Sequence, residues 1–360
     1  MTDTSGGMNE AAGSWDMRRI LAADIDIAMY ETVVQALADG YSISPLSSAA
    51  DLKMERSENK PDLILLTVSE ECTACFSWYE QRKELPELEG IPVVFLIGCN
   101  CAWIEEKLLE LGAPDFIIAP ALPVLLKNRI DSILELYELR DSKRYVERYQ
   151  DAIAFSFAEL VDCRDETTGN HLKNSTRYFH ILLEEAIAKG YYKDVLRQED
   201  IRDLLRSATL HDIGKIGISD DVLRKAFPLD YHEYEHMKTH TTLGGQAFEK
   251  IIRETGGTRW LYLAKDIAYY HHEHWDGTGY PDGLKGEEIP IYARIMTVAD
   301  VYDALTSSRS YKDAYTHQQA AQIIIQESGQ IFDPKLVDLF LSSQERFEEV
   351  LLRRNGNSDE

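Results

Sequence analysis

Residues 271–283 read HHEHWDGTGYPDG: three histidines, two aspartates and three glycines in thirteen positions. Two adjacent neutral imidazoles gain little from packing on each other. They make sense where something binds their nitrogens. The residues before them show how they are presented. Ala264, Ile267 and Ala268 mark an apolar helical face, and His271 and His272 continue it. The glycines that follow predict a tight loop. The stretch therefore predicts a helix that ends by delivering polar groups to an interior.

The same pattern recurs on other helices. In IRDLLRSATLHDIGKIG (201–217), Ile201, Leu204, Leu205 and Ala208 form a stripe that runs into His211 and Asp212. Gly214 is expected to end that helix, with Lys215 just past it. A buried face ending in His-Asp needs partners for both groups. In YEHMKTHTTLGGQAFEKII, the face predicted from Met237, Gly244, Ala247, Phe248 and Ile251 includes His240, with His232 and His236 nearer its edge. Asp300 and Asp303 lie three apart in the otherwise apolar YARIMTVADVYDAL, so they share a side. His171 follows a glycine by two residues, at a helix start.

A lone buried histidine is usually a satisfied core residue. Imidazoles and carboxylates on helix after helix are a different matter. Five histidines and two aspartates suit two first-row metal ions bridged by a carboxylate. No cysteine is needed, which argues against a structural zinc knot. From 163 to about 352 the whole pattern is helical.

HDIGK, HTTLGGQAF, HHEHWDGTGYP and ADVYDALTSSRSYK, in that order, resemble the HD-GYP family of HD-type phosphohydrolases. The resemblance covers roughly 150–350. It implies an all-helical bundle that hydrolyses cyclic di-GMP to pGpG, or on to GMP. It implies metal ligands at His171, His211, Asp212, His240, His271, His272 and Asp300, with Asp212 as the bridge. Two divalent ions per chain are expected, iron or manganese ahead of zinc or nickel. A hydroxide between two such ions is a nucleophile at neutral pH. Lys215 would hold a phosphate oxygen. Arg309 and Lys312 carry over as phosphate or guanine contacts, Asp165 as a guanine contact, and Tyr280 as substrate wall. Asp303 either orients a ligand histidine or protonates the leaving oxygen. His274 is expected in exposed loop. Members with three metals place a glutamate four residues before the first ligand histidine. Thr167 stands there, which favours two metals and pGpG as product. The alternative to catalysis is a sensor that binds cyclic di-GMP and acts through protein partners.

The N-terminal part differs. Strands are predicted at 18–23, 41–44, 62–68, 91–98 and 115–119, with amphipathic segments between most of them. This is a doubly wound parallel α/β sheet. Residues 17–125 resemble a response-regulator receiver with its phosphorylation chemistry removed. Thr67 replaces the acceptor aspartate, Ala119 the lysine before proline, and Ile97 the threonine after the fourth strand, while Asp24 and Asp26 remain of the acidic pair. A helix over 126–160 is expected to connect this domain to the HD-GYP domain (161–352). It offers a second copy of the chain a coiled-coil surface. Residues 1–16 and 353–360 read as tails.

The net charge of −24 argues against binding a nucleic-acid polymer or an anionic membrane. No export signal or membrane span is visible, and five cysteines are expected as reduced thiols in the cytoplasm. Cys72, Cys75, Cys99 and Cys101 follow two strands expected to be neighbours, so a metal or redox site there is an open expectation.

Overall fold

A computed structural model describes residues 17–48, 60–68, 74–98, 101–164, 171–307 and 314–356. The chain divides into two compact units, Met1–Glu147 and Arg148–Glu360.

The first unit is built on five strands: β1 (Arg18–Ala23), β2 (Tyr41–Leu46), β3 (Leu63–Val68), β4 (Val93–Ile97) and β5 (Asp115–Ile118). All pair in parallel, in the order β2-β1-β3-β4-β5. That order is the receiver and flavodoxin arrangement. Every residue of β3 and β4 is buried, as expected when helices cover both faces of a parallel sheet. One face carries Leu66, Val68, Phe95 and Ile97 under α2 (Ala74–Gln81) and α3 (Ala102–Glu110). The other carries Leu63, Leu65, Val94 and Leu96 against α1 (Ile27–Leu37) and the start of α4 (Pro123–Asp162).

The first turns of α4 are part of this unit. Leu126, Ile130, Ile133 and Leu134 complete the sheet's core, so a boundary at 125 cuts through packed structure. The helix is one element of 40 residues, and Ala154 and Ala158 near its end belong to a core of the second unit. There Arg206, 5% exposed, ties α4 down. Its guanidinium donates to Asp151 at 2.5 Å and to Gln150 at 2.8 Å.

The second unit is helical: α5 (His171–Ala188), α6 (Ile201–Ala208), α7 (Asp220–Leu223), α8 (Tyr231–Thr255), α9 (Arg259–Tyr270), α10 (Ile291–Thr306), α11 (His317–Gln326) and α12 (Pro334–Gly356). Its main core gathers Phe179, Leu183, Ile295, Tyr302, Phe340 and Phe347. Three sequence expectations need correction. First, α6 stops at Ala208, before His211. The Thr209 hydroxyl donates to the Arg206 carbonyl at 2.7 Å, and the amides of Leu210 and His211 bond three residues back. The chain thus tightens from α-helix into 3₁₀ turns, and His211 and Asp212 project from the turn. Second, the buried face of α8 is His240, Thr241, Gly244, Gly245, Phe248 and Ile252, whereas Ala247 and Ile251 are exposed. The pair of glycines decides this. A Cβ on Gly245 would lie 2.4 Å from the Tyr269 ring, and one on Gly244 3.2 Å from the Ala268 Cβ. On the facing turn, a Cβ on Gly214 would lie 1.9 Å from the His240 carbonyl oxygen. Third, α12 runs on through the expected tail to Gly356.

Among the described residues, no helix is long and apolar enough to cross a membrane. The proposed four-thiol site includes Cys72 and Cys99, and residues 1–16 were read as a tail; these lie outside the described residues. Cys75 is buried and Cys101 half-buried.

Candidate metal centre

The seven candidate ligands come from five places in the fold. His171 opens α5. His211 and Asp212 sit in the turn after α6. His240 is in the middle of α8. His271 and His272 follow α9 directly, and Asp300 is on α10. Ring or carboxylate atoms of Asp212, His240, His271 and His272 lie within 4.8 Å of one another, and so do those of His171, His211 and Asp212. Asp212 is common to both groups. Its two oxygens face different ways. Oδ1 is 3.4 Å from His240 Nε2 and 3.7 Å from His271 Nε2, while Oδ2 is 3.3 Å from His211 Nε2. Asp300 Oδ1 joins the second group, 3.4 Å from His171 Nε2 and 3.9 Å from His211 Nε2. His272 stacks on Tyr280, ring centroids 4.9 Å apart, and the Tyr280 amide donates to the His272 carbonyl.

The inward nitrogens are kept as lone pairs. Nδ1–H of His211 donates to the Ala208 carbonyl at 2.9 Å, that of His240 to Met237 at 2.7 Å, and that of His271 to Ile267 at 3.0 Å. A carbonyl only accepts, so each Nε2 is unprotonated in the neutral ring. These three Nε2 atoms and Asp212 Oδ1 are buried and, among the described residues, have no hydrogen-bond partner. Orphaned buried acceptors are costly alone, and one cation in each group would satisfy them. The residues present therefore fit a pair of divalent ions sharing Asp212.

The protonation behaviour of the cluster has the same origin. Burial pushes His240 down to about 4, and burial with the nearby His271 and His240 holds His272 well below the usual imidazole range. Burial opposes ionisation of Asp212, but Lys215 and His211 outweigh it and keep the carboxyl well below its ordinary value. Lys215 Nζ is 2.8 Å from Asp212 Oδ2. Burial also disfavours charged His171, yet the bond to Asp303 and the charges of Asp303 and Asp300 lift it to about 9.

Asp303 settles behind the site. It is fully buried, and its Oδ2 accepts from His171 Nδ1 at 2.6 Å. Of the two roles left open for it, this position fits orientation of His171. His274 is half-buried rather than exposed, with Nδ1 3.1 Å from the Thr278 hydroxyl. Asp165, Arg309 and Lys312, and also Thr167, lie outside the described residues.

The loop geometry separates its glycines. Gly277 has φ +86°, which only glycine adopts without strain. Gly279 is needed for space, since a Cβ there would lie 2.3 Å from the His274 amide nitrogen. The loop's anchor is Glu273, which the sequence reading missed. This 1%-exposed carboxylate accepts the amides of Asp282 at 2.8 Å and of Gly283 and Leu284 at 3.0 Å. A glutamate between histidines gives no local sign of that task.

The carboxyl edge of the sheet is equally specific. Thr67 is buried in β3, and its hydroxyl has no hydrogen-bond partner among the described residues. The Asp26 carboxylate accepts the Met29 amide at 2.8 Å and so caps α1.

A receiver-like sheet followed by a helical bundle with a His/Asp cluster that can hold metal is the arrangement of an HD-type hydrolase with an N-terminal α/β unit. The HD domain family matches residues 166–336. A probable cyclic di-GMP phosphodiesterase of Vibrio cholerae is 37% identical over 332 residues, covering 88% of this chain and 75% of that protein. The cyclic di-GMP phosphodiesterase response regulator RpfG of Xanthomonas campestris is 29% identical over 364 residues, covering 95% of this chain and 93% of that one. The solved structure of the chemotaxis response regulator CheY4 of Vibrio cholerae is 18% identical and covers 32% of this chain and 98% of its own, with a TM-score of 0.29. The chain belongs to the HD-GYP family, and it is an enzyme.

Proposed function

We propose that the chain hydrolyses cyclic di-GMP to pGpG with two divalent ions held by His171, His211, Asp212, His240, His271, His272 and Asp300. The observation that carries this is Asp212, whose two oxygens face two separate histidine groups. When bound, the ions supply activated water and offset charge on the phosphate oxygens. The donor set of imidazole and carboxylate suits iron or manganese. The protein's own part is positional. Backbone carbonyls fix three of the imidazoles, and Asp303 fixes a fourth. Lys215, beside Asp212, is placed to hold a phosphate oxygen. Tyr280, stacked on His272, forms a wall beside the reacting phosphate. Arg309, Lys312 and Asp165 are proposed as nucleotide contacts on the strength of the motif alone.

The test is one anaerobic assay on metal-loaded protein. About two ions per chain and accumulation of pGpG are expected. Two ions with tight nucleotide binding but no turnover would replace the enzyme with a sensor, and three ions with GMP as end product would overturn the two-metal reading.

The homodimer is also proposed here. Leu139, Val146, Ile153 and Leu160 recur every seven residues along α4, and each is more than half exposed. A seven-residue apolar repeat on an exposed helix face suits the same helix of a second copy. Ile153→Glu combined with Leu160→Glu should convert dimer to monomer in light scattering without lowering the melting temperature. A wild-type chain that is monomeric at high concentration would end this proposal.

A further inference from the structure

The candidate histidines are not all oriented alike. His211, His240 and His271 each give Nδ1–H to a carbonyl three or four residues back in their own turn. Their orientation is local and follows from the helix. His171 gives its Nδ1–H to Asp303, on α10, across 132 residues of sequence. That carboxylate is fully buried. Among the described residues, an arginine from the last turn of α12 lies beside it. Arg354 Nη1 is 3.6 Å from Asp303 Oδ1 and 2.9 Å from Ser307 Oγ, and the Ser307 hydroxyl is 3.3 Å from Asp303 Oδ2. The Arg354 side chain is itself only 12% exposed.

The contacts give the arginine its purpose. The Asp303 carboxylate holds the His171 ring by accepting Nδ1–H, and an acceptor behind a ligand imidazole sets the ring's orientation. Arg354 and Ser307 hold that same carboxylate from beyond His171, and a fully buried carboxylate needs such partners.

We propose that Arg354 is a positioning residue for the metal centre, acting through Asp303 on His171 and so on the ion that His171 shares with His211. This rests on the two-ion reading of the site. It lies beyond the stretch matched by the HD domain family, which ends at 336. It couples the end of the chain to one of the two ions and leaves the other, held by His240, His271 and His272, untouched.

The experiment is a titration of the chelator-stripped full-length protein with Mn²⁺, read by electron paramagnetic resonance and calorimetry, with no nucleotide present. Asp303→Asn should weaken one of the two ions by roughly 10–100-fold, the usual effect of losing a partner behind a ligand. Arg354→Ala should weaken the same ion by about tenfold or more, on the same basis, and leave the other unchanged. Arg354→Lys keeps the charge and should recover most of the affinity. Arg353→Ala, at an exposed neighbour paired with Glu349, should match wild type. Selective loss with rescue by lysine supports the proposal. Wild-type affinity for both ions in Arg354→Ala overturns it, and so does equal weakening of both ions together with a lower melting temperature of the stripped protein, which marks a merely structural role. The proposed function fails separately, if wild type loads two ions and leaves cyclic di-GMP intact.

Discussion

Asp212→Ala is expected to empty both metal positions at once and abolish turnover. The reason is geometric. Oδ1 faces His240 and His271, and Oδ2 faces His211, so no other side chain of the cluster serves both groups. Removing a terminal ligand such as His272 takes one donor from one ion. Removing Asp212 takes an anionic donor from each, and it leaves two cations without the charge between them. Metal assistance supplies several kcal/mol of transition-state stabilisation, and each 1.4 kcal/mol is a factor of ten. The loss in kcat is therefore on the order of 10³-fold or more. Folding should lose far less, since Oδ1 has no hydrogen-bond partner among the described residues and only the Oδ2 pairing with Lys215 goes. Metal content after anaerobic loading, turnover and a thermal melt of the stripped protein check all three statements. His274→Ala is the contrast, with near-normal metal content expected because its Nδ1 engages Thr278 and not the centre. Full metal content and activity in Asp212→Ala would remove the bridge from the mechanism.

The sequence shows much of this candidate centre because several of its histidines continue an apolar stripe. Periodicity shows which face turns inward, and Ala264, Ile267 and Ala268 do point the way to His271. The parallel sheet is legible for the same reason, since fully buried strands such as LILLTV read as unbroken apolar runs. Where the reading slips, a non-local contact decides. The face of α8 is set by close approach of Gly244 and Gly245 to α9 and the 213–217 turn, and composition alone places Ala247 and Ile251 there instead. The end of α6 is set by a threonine hydroxyl returning to a carbonyl. The first turns of α4 look like a linker until Leu126 and Ile130 are seen closing the sheet's core. Arg354 reads as part of a frayed tail because nothing local announces Asp303, 51 positions earlier, as its partner.

Glu273 is the residue whose loss should be felt most outside the metal ligands. Its carboxylate is almost wholly buried and accepts three successive backbone amides, from Asp282, Gly283 and Leu284. Burial raises its pKa, and the three amide bonds pull against that rise. Glu273→Ala deletes the acceptor and leaves three donors behind. An unsatisfied buried donor costs about 1–3 kcal/mol, and the loop can recover part of that by opening to water. A net loss of about 3 kcal/mol corresponds to a fall in melting temperature of roughly 6–12 °C for a unit of this size. Opening has a functional cost too. The same loop carries Tyr280, whose amide bonds to the His272 carbonyl and whose ring stacks on the His272 imidazole. A loosened loop frees both Tyr280, the proposed substrate wall, and His272, a proposed ligand, so KM should rise and kcat should fall together. Glu273→Gln distinguishes shape from acceptor count. Asp282 and Gly283 share Oε1, so an amide oxygen in that position can keep both, while the amide nitrogen faces the Leu284 N–H and repels it. Its melting temperature should fall between those of the wild type and Glu273→Ala. If Glu273→Ala melts within about 2 °C of wild type, less than 1 kcal/mol on the same scale, the three amides find water without cost, and Glu273 is not the anchor of the glycine-rich loop.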